Sequence, residues 1–375
     1  MAPPGVVVAH SPAASGIYLA SPGIVELPGG DLLVKCDEHG PGSTEKVSGR
    51  TRLFRSADRG ATWRPVSVVD GMYWATLFTA KGALWLLGTE RQDGPIVLRR
   101  SDDEGTTWTA AKGPRSGRLF DDARYHGAPT PALIAKERIW RGFERVGPGG
   151  WGKCFEAFLL SAPLDADWLD ARHWRRTNAH GFDPALLGGR FGGWCEGNAV
   201  EGPGGVVHDL LRVHVQDLPE HAGVLKAGDV GTTLAGPGED SFPAFPGGCK
   251  KFTVRRHPKD GHWWTLANVA DRRRADVTIE RTRNVVALVR SVDFRNWETR
   301  AILLSHPDVH RHGMQYVDWI FSGDDMLAVA RTAWDDAHGG ARSQHDANHI
   351  TFHRVERFRT LRDRPVAAVQ GGGRV

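Results

Sequence analysis

Two copies of an eight-residue turn constrain the fold of this chain more than any other feature. Ser56-Ala57-Asp58-Arg59-Gly60-Ala61-Thr62-Trp63 recurs as Ser101-Asp102-Asp103-Glu104-Gly105-Thr106-Thr107-Trp108. Both read S-x-D-x-G-x-T-W, and each follows a strand-like run, at 52–55 and at 96–100. Such a turn joins two strands. The Asp carboxylate accepts backbone N–H groups across it, the Gly supplies a positive-φ position, and the Trp returns as an apolar plug. A turn of this kind is structural and carries no chemistry of its own.

The chain has 375 residues, enough for two ordinary domains or one large repeat architecture. Its 46 Gly, 22 Pro and 14 Trp suit an all-β protein with many turns and large plugs between sheets. The net charge of +4 is small and well mixed, so it argues against nucleic acid as a partner. Cys36, Cys154, Cys195 and Cys249 are widely spaced with no C-x-x-C, so a zinc ribbon is not expected. Met1-Ala2-Pro3-Pro4-Gly5 has no charged n-region and no apolar h-region comes after it. As written, the chain reads as cytoplasmic, with no membrane partner.

Helical periodicity is absent. Paired apolar runs separated by Gly- or Asp-bearing turns recur instead, the signal of hairpins. Six pairs stand out, at 24–27 with 31–34, 74–78 with 83–87, 131–134 with 138–140, 198–200 with 206–211, 251–254 with 262–266, and 317–321 with 326–330. Third runs come at 155–160 and 285–289; they lead to Ser161 with Trp168 and Trp174, and to Ser291 through Trp297, as two eroded copies of the turn. Units repeat every roughly 50 to 70 residues, which fits four-stranded propeller blades. The expected fold is a single-domain β-propeller of six four-stranded blades over 1–375, with a seventh as the alternative between 213 and 245. The unpartnered run 5–10 is expected to close the last blade as its outer strand, removing free edges.

In such a blade the one–two and three–four turns share a face with the S-x-D-x-G-x-T-W turns. The two–three loops and the links between blades share the other. That second face collects most of the histidines and the densest Arg and Asp clusters, and is expected to carry the site. The catalytic candidates are His126 in Tyr-His-Gly, Glu196 in Trp-Cys-Glu-Gly-Asn, and His312 and Tyr316 in His-Gly-Met-Gln-Tyr. A His or Tyr can move a proton, and a Tyr beside a carboxylate can attack an anomeric carbon. The binding candidates are Asp37, His39, Arg212, Lys250, Arg283, Gln315, Arg331, His345 and Asp346, the arginines because a guanidinium fork matches a carboxylate. His345 and His349 do not suggest a metal, since i and i+4 in a strand lie about 13 Å apart. No cofactor is expected.

The turns at 56–63 and 101–108 resemble the Asp-boxes of the sialidase-like propeller superfamily, and the resemblance spans the whole chain. The opening at 17–22 with 27–33 is also similar to that of sialidases, where an Arg-Ile-Pro begins a triad of arginines gripping the sialate carboxylate. Here Ala20-Ser21-Pro22 stands in its place. The resemblance implies a Tyr–Glu nucleophile pair at Tyr316 and Glu196, with arginines from 212, 283 or 331. The His-rich face resembles a second branch, propeller lyases that act on uronate linkages with His, Tyr and Arg. The leading expectation is therefore cleavage of a glycosidic bond at an acidic, uronate-type sugar by His/Tyr β-elimination, with an acidic oligosaccharide or polysaccharide as partner. The alternatives are a sialidase-type exo-glycoside hydrolase, using Glu196 with Tyr316 or with Asp37, and a non-catalytic glycan-binding propeller.

Overall fold

Strand follows strand in six antiparallel meanders, and each starts at a central axis and runs outward. A computed structural model describes residues 2–362 except Gln216 and Asp271. Met1 and 363–375, and with Asp271 the first residue of the loop at 271–284, lie outside the described residues. Blade 1 is Tyr18–Glu26, Leu32–His39, Arg50–Ser56 and Arg64–Asp70. Blade 2 is Tyr73–Ala80, Ala83–Thr89, Ile96–Ser101 and Arg118–Phe120. In blade 3 the innermost strand is split into Tyr125–His126 and Leu133–Ala135, both paired with Arg138–Val146; Phe155–Pro163 and Arg175–Arg176 come next. Blade 4 is Trp194–Glu201, Val207–Val213 and Ala222–Lys226. Blade 5 is Val254–Arg256, Trp263–Asn268, Val285–Ser291 and Trp297–Ser305. Blade 6 is Gly313–Ser322, Asp325–Ala333 and His349–Val355, with Val6–His10 as its outer strand.

That last pairing sets Val6 opposite Phe352 and His10 opposite His349, so the N-terminal run closes the ring as expected. Six blades form, and the stretch at 213–245 adds no seventh among the described residues. It supplies the third strand of blade 4 and two isolated bridges, Ala227 to Leu234 and His221 to Ala244, in place of a fourth. No helix is long and apolar enough to cross a membrane. The four cysteines form no disulfide with one another.

The core is a ring of six apolar clusters, one at each junction between neighbouring blades. Trp85 and Trp168 seal blades 2 and 3, Trp140 and Trp194 blades 3 and 4, and Trp264 and Trp319 blades 5 and 6. Each sheet buries both faces against its neighbours, so its strands read as near-continuous apolar runs. Along the axis the chain places buried charge instead. Asp318 of blade 6 accepts from Arg255 of blade 5 at 3.1 Å and from the Ile24 amide of blade 1 at 3.1 Å.

The two S-x-D-x-G-x-T-W turns have the same bonding. Asp58 accepts from Ser56 Oγ (2.8 Å), Thr62 N (2.9 Å) and Thr62 Oγ1 (2.6 Å); Asp103 accepts from Ser101 Oγ (2.8 Å), Thr107 N (2.8 Å) and Thr107 Oγ1 (2.6 Å). Gly60 and Gly105 sit at φ 94° and 90°, the left-handed region that favours glycine. Asp293 keeps part of this pattern, accepting from the Arg295 and Asn296 amides at 2.9 and 2.7 Å. Ser161 does not; its hydroxyl accepts from Arg138, and Trp168 and Trp174 simply pack in the junction of blades 2 and 3.

The bonds from Thr62 and Thr107 hold Asp58 and Asp103 at about 2. An unfolded Asp titrates near about 3.9. The two turns therefore contribute stability that is present above that value and lost as pH falls toward about 2. The double variant Asp58→Asn, Asp103→Asn is expected to melt at a lower temperature at neutral pH and to lose less on acidification. Thermal melts followed by circular dichroism at falling pH check this; an unchanged acid slope would reject it.

Candidate functional site

The innermost strands of four blades slip register within their first few residues. The slips lie between Ala20 and Gly23, Tyr73 and Thr76, Trp194 and Gly197, and Gln315 and Asp318. Each is a bulge, which re-aims side chains and is common beside functional sites. Ser21, Trp74 and Tyr316 sit in these bulges at φ 49°, 49° and 54°, a costly conformation for a bulky residue. Glu196 occupies the bulge of blade 4. The slips lie at the strand ends nearest the two–three loops, on the face opposite the Asp58 and Asp103 turns.

Tyr316 Oη donates to Glu196 Oε1 at 3.0 Å, joining residues from blades 6 and 4 across the axis. Arg212 Nη1 donates to both oxygens of Glu196, at 3.2 and 3.0 Å, and its Nε donates to the Cys249 carbonyl at 3.0 Å. Glu196 is 2% exposed. Burial alone would raise its carboxyl, but Arg212 and then His126 outweigh it and hold the group at about 2. Burial and the Glu196 charge push Tyr316 up, so its phenol is protonated at rest. Arg283 and Arg331 lie over its ring, 5.5 and 5.4 Å from the centroid. Burial lowers both guanidinium groups, Arg283 to about 10, and both stay charged at neutral pH.

Around this centre the other candidates form a bonded rim. Arg283 Nη1 donates to Gln315 Oε1, and Gln315 Nε2 donates to the Gln344 carbonyl. Arg331 Nη2 donates to the His345 carbonyl, and His345 Nδ1 lies 2.9 Å from Asp346. The Arg331 charge, with burial, depresses His345 to about 2. His39 bonds Tyr73 Oη, and burial followed by the Arg331 charge lowers His39 to about 4.

Four sequence candidates are placed differently. His312 lies apart from the Tyr316–Glu196 pair, stacked on His306 at 3.8 Å and bonded to Asp308 at 3.0 Å. His126 is buried and bonds Glu144 at 2.8 Å, while Glu144 also accepts the Gly197 amide at 3.2 Å. Asp37 does not reach the channel mouth. It is wholly buried, accepts from Lys35 (3.0 Å) and Thr51 (2.6 Å), and takes the Trp74 amide (2.7 Å), pinning that bulge. Lys250 is spent on Glu220, 2.7 Å from both oxygens.

Its neighbour Lys251 was missed. Its Nζ donates to Thr253 Oγ1 at 2.8 Å and to the Val317 carbonyl at 3.2 Å, steadying the bulge that carries Tyr316. Burial lowers Lys251 to about 7. Adjacent residues of an extended chain point to opposite sides, and only the strand phase tells which lysine turns inward. Tyr73, Trp74 and Glu144 were also missed; Trp74, read as a core strand residue, carried no signal of its bulge. No group of three or more His, Cys, Asp or Glu among the described residues is arranged to hold a metal ion.

No family model matches this chain, and no curated protein sequence matches it. Solved structures do. An α-L-arabinanase from Penicillium chrysogenum, complexed with arabinobiose, aligns over 95% of this chain and 98% of its own at TM-score 0.57 and 14% identity. A Hadza microbial sialidase aligns over 95% and 69% at 0.63 and 13%. An α-L-arabinofuranosidase from Fusarium graminearum aligns over 96% and 99% at 0.59 and 12%. At such identities the likeness is one of architecture: this chain has the six-bladed β-propeller fold on which those glycoside hydrolases are built.

Proposed function

We propose that this protein is a glycoside hydrolase in which Tyr316 attacks the anomeric carbon and Glu196 takes its proton. The observation that carries the reading is the buried bond from Tyr316 Oη to Glu196, with Arg212 on both carboxylate oxygens. In the first step a bond forms from the phenol oxygen to the anomeric carbon as the glycosidic C–O bond breaks. The phenol proton passes to Glu196, and the leaving oxygen takes a proton from an acid on the rim. Water then releases the sugar by the reverse route. Glu196 is a weak base at rest, so transfer becomes favourable only as the new C–O bond drains charge from the phenol oxygen.

Arg212 is paired with Glu196 and lies 3.7 Å from Glu280, but Arg283 and Arg331 over the Tyr316 ring are in no ion pair with a carboxylate among the described residues, which favours an acidic sugar at the centre. A neutral nucleophile also avoids the repulsion that a carboxylate would meet from such a substrate. Elimination, the leading expectation from the sequence, is less well supported. It needs a His acting together with the Tyr, but neither His312, held by Asp308, nor His126, held by Glu144, bonds Tyr316 among the described residues, whereas Glu196 does. The test is a turnover screen on sialate-, uronate- and arabinose-capped glycans, read by reducing ends and by absorbance at about 235 nm, where an unsaturated uronate product absorbs. Reducing ends without absorbance are expected. Growth in absorbance would replace hydrolysis with elimination, and silence on both channels would leave glycan binding.

His39 and Asp346 are the rim groups available to protonate the leaving oxygen. Burial, then Arg331, holds His39 at about 4, and the bond with His345 keeps Asp346 below the usual carboxylate range. Each holds a transferable proton only in acid, whereas Glu196 stays ionised down to about 2. The value of kcat/KM is therefore expected to fall as pH rises above about 4. A profile that is flat from acid to neutral pH would remove both groups as donors.

A further inference from the structure

The cationic half of the site comes from blades 4 to 6, but blades 1 to 3 present something different. A file of rings runs outward from the rim: Tyr73 meets Trp74 at 4.8 Å, Trp74 meets His126 at 4.5 Å, and His126 meets Trp151 at 5.5 Å. Tyr73 Oη bonds His39, so the file starts at the rim of the site. It ends on Trp151, which is 49% exposed at the tip of the loop Gly147-Pro148-Gly149-Gly150-Trp151-Gly152. That loop joins the second and third strands of blade 3, so it lies on the site face. Trp151 packs edge-on against Phe155 at 4.9 Å, which fixes the indole while leaving much of it in water.

Between the two indoles His126 has one committed nitrogen. Its Nδ1 bonds Glu144, and its Nε2 has no hydrogen-bond partner among the described residues. With Glu144 accepting from Nδ1–H, Nε2 is left to bond a hydroxyl, as acceptor when the ring is neutral and as donor when it is charged. Trp74 and Trp151 meet His126 edge-on, at 66° and 89°, so the two indoles stand to either side of its ring. Aromatic faces beside a single polar group are the recurrent chemistry of a sugar subsite: C–H faces lie on the rings, and a hydroxyl is fixed at the edge.

We propose that Trp74, His126 and Trp151 form a binding platform for a sugar ring of the leaving group, next to the scissile bond. The leaving-group assignment rests on Tyr316 acting as the nucleophile; the platform itself does not. It would make the protein prefer an oligosaccharide over a glycone with no sugar attached.

The experiment titrates wild type and Trp151→Ala by calorimetry with 3′-sialyllactose, trigalacturonate and arabinotriose, and with the monosaccharide of each acidic or neutral end unit. Turnover of the same oligosaccharides is followed in parallel. Trp151 stands at a loop tip, so the variant should fold, and its melting curve checks this. For the oligosaccharide that wild type binds, Trp151→Ala is expected to weaken binding about tenfold, and the matching monosaccharide less than about twofold. Equal losses for both, no loss, or a wild type that binds none of the three would overturn the platform. Turnover that survives with unchanged oligosaccharide affinity sinks the platform and keeps the hydrolase. Trp151-dependent binding with no turnover keeps the platform and sinks the hydrolase.

Discussion

Tyr316→Phe is expected to lower turnover about 10³-fold or more while leaving the fold intact. The substitution removes one oxygen. The ring keeps Arg283 and Arg331 over it, and Arg212 still holds both oxygens of Glu196. The lost bond costs stability of about 1 kcal/mol, small against a whole domain. The loss should fall on kcat more than on KM if, as proposed, the phenol acts at the anomeric carbon, because Arg212, Arg283 and Arg331 remain in place. Single-turnover kinetics on whichever glycan the screen identifies would measure it. A variant retaining more than about a tenth of wild-type kcat would remove Tyr316 as the nucleophile. Glu196→Gln should show a comparable loss of turnover, with a larger stability cost. It leaves Arg212, buried at 1% exposure, with only the more distant Glu280 carboxylate at 3.7 Å.

Lys250→Ala is expected to do the reverse: a large loss of stability with turnover per folded molecule unchanged. The Lys250–Glu220 pair is buried, with side-chain exposures of 1% and 2%. Removing the cation strands a carboxylate inside the protein, at a cost of about 3–5 kcal/mol. Glu220 also accepts the Cys249 amide at 3.0 Å and the Ala270 amide at 3.3 Å, so the whole link between blades 4 and 5 loosens with it. Adding Glu220→Gln to Lys250→Met should recover much of the loss, since the amide oxygen still meets a backbone donor and no charge is left unpaired. Chemical denaturation measures the difference. Reduced turnover at unchanged stability would return Lys250 to the set of substrate ligands.

The lysine and tyrosine cases show where the sequence was legible. Local signals were read well because they are local. The Asp58 and Asp103 turns need only eight neighbouring residues, and a hairpin announces itself by two apolar runs and a turn. Six such units and an unpaired N-terminal run are enough to infer a closed ring. The eroded turn at Ser161 was misread for the same reason, as a Ser and a downstream Trp fit the pattern but no Asp accepts across it. Glu196, Tyr316, Arg212, Arg283 and Arg331 could be nominated because they fall at strand entries or strand ends on one predicted face.

The difference between them and His312, Asp37 or Lys250 was not in the pattern. His312 is four residues from Tyr316 in sequence, yet it turns away to Asp308, because the bulge between Gln315 and Asp318 changes the side-chain phase along the strand. Lys250 and Lys251 differ only in the phase of an extended segment. Asp37 faces Lys35 and the Trp74 amide because blade 2 closes over it. Glu144 meets the Gly197 amide, next to Glu196, only when blade 3 is laid beside blade 4.

The sequence by itself determined the architecture, the face that carries the polar residues and the small set from which the site is drawn, since turn chemistry and strand alternation act over a few residues. The tertiary structure alone decided which of those residues meet. Glu196 and Tyr316 are 120 positions apart. They become partners because ring closure and the register slips in their two innermost strands aim both side chains at the same buried point.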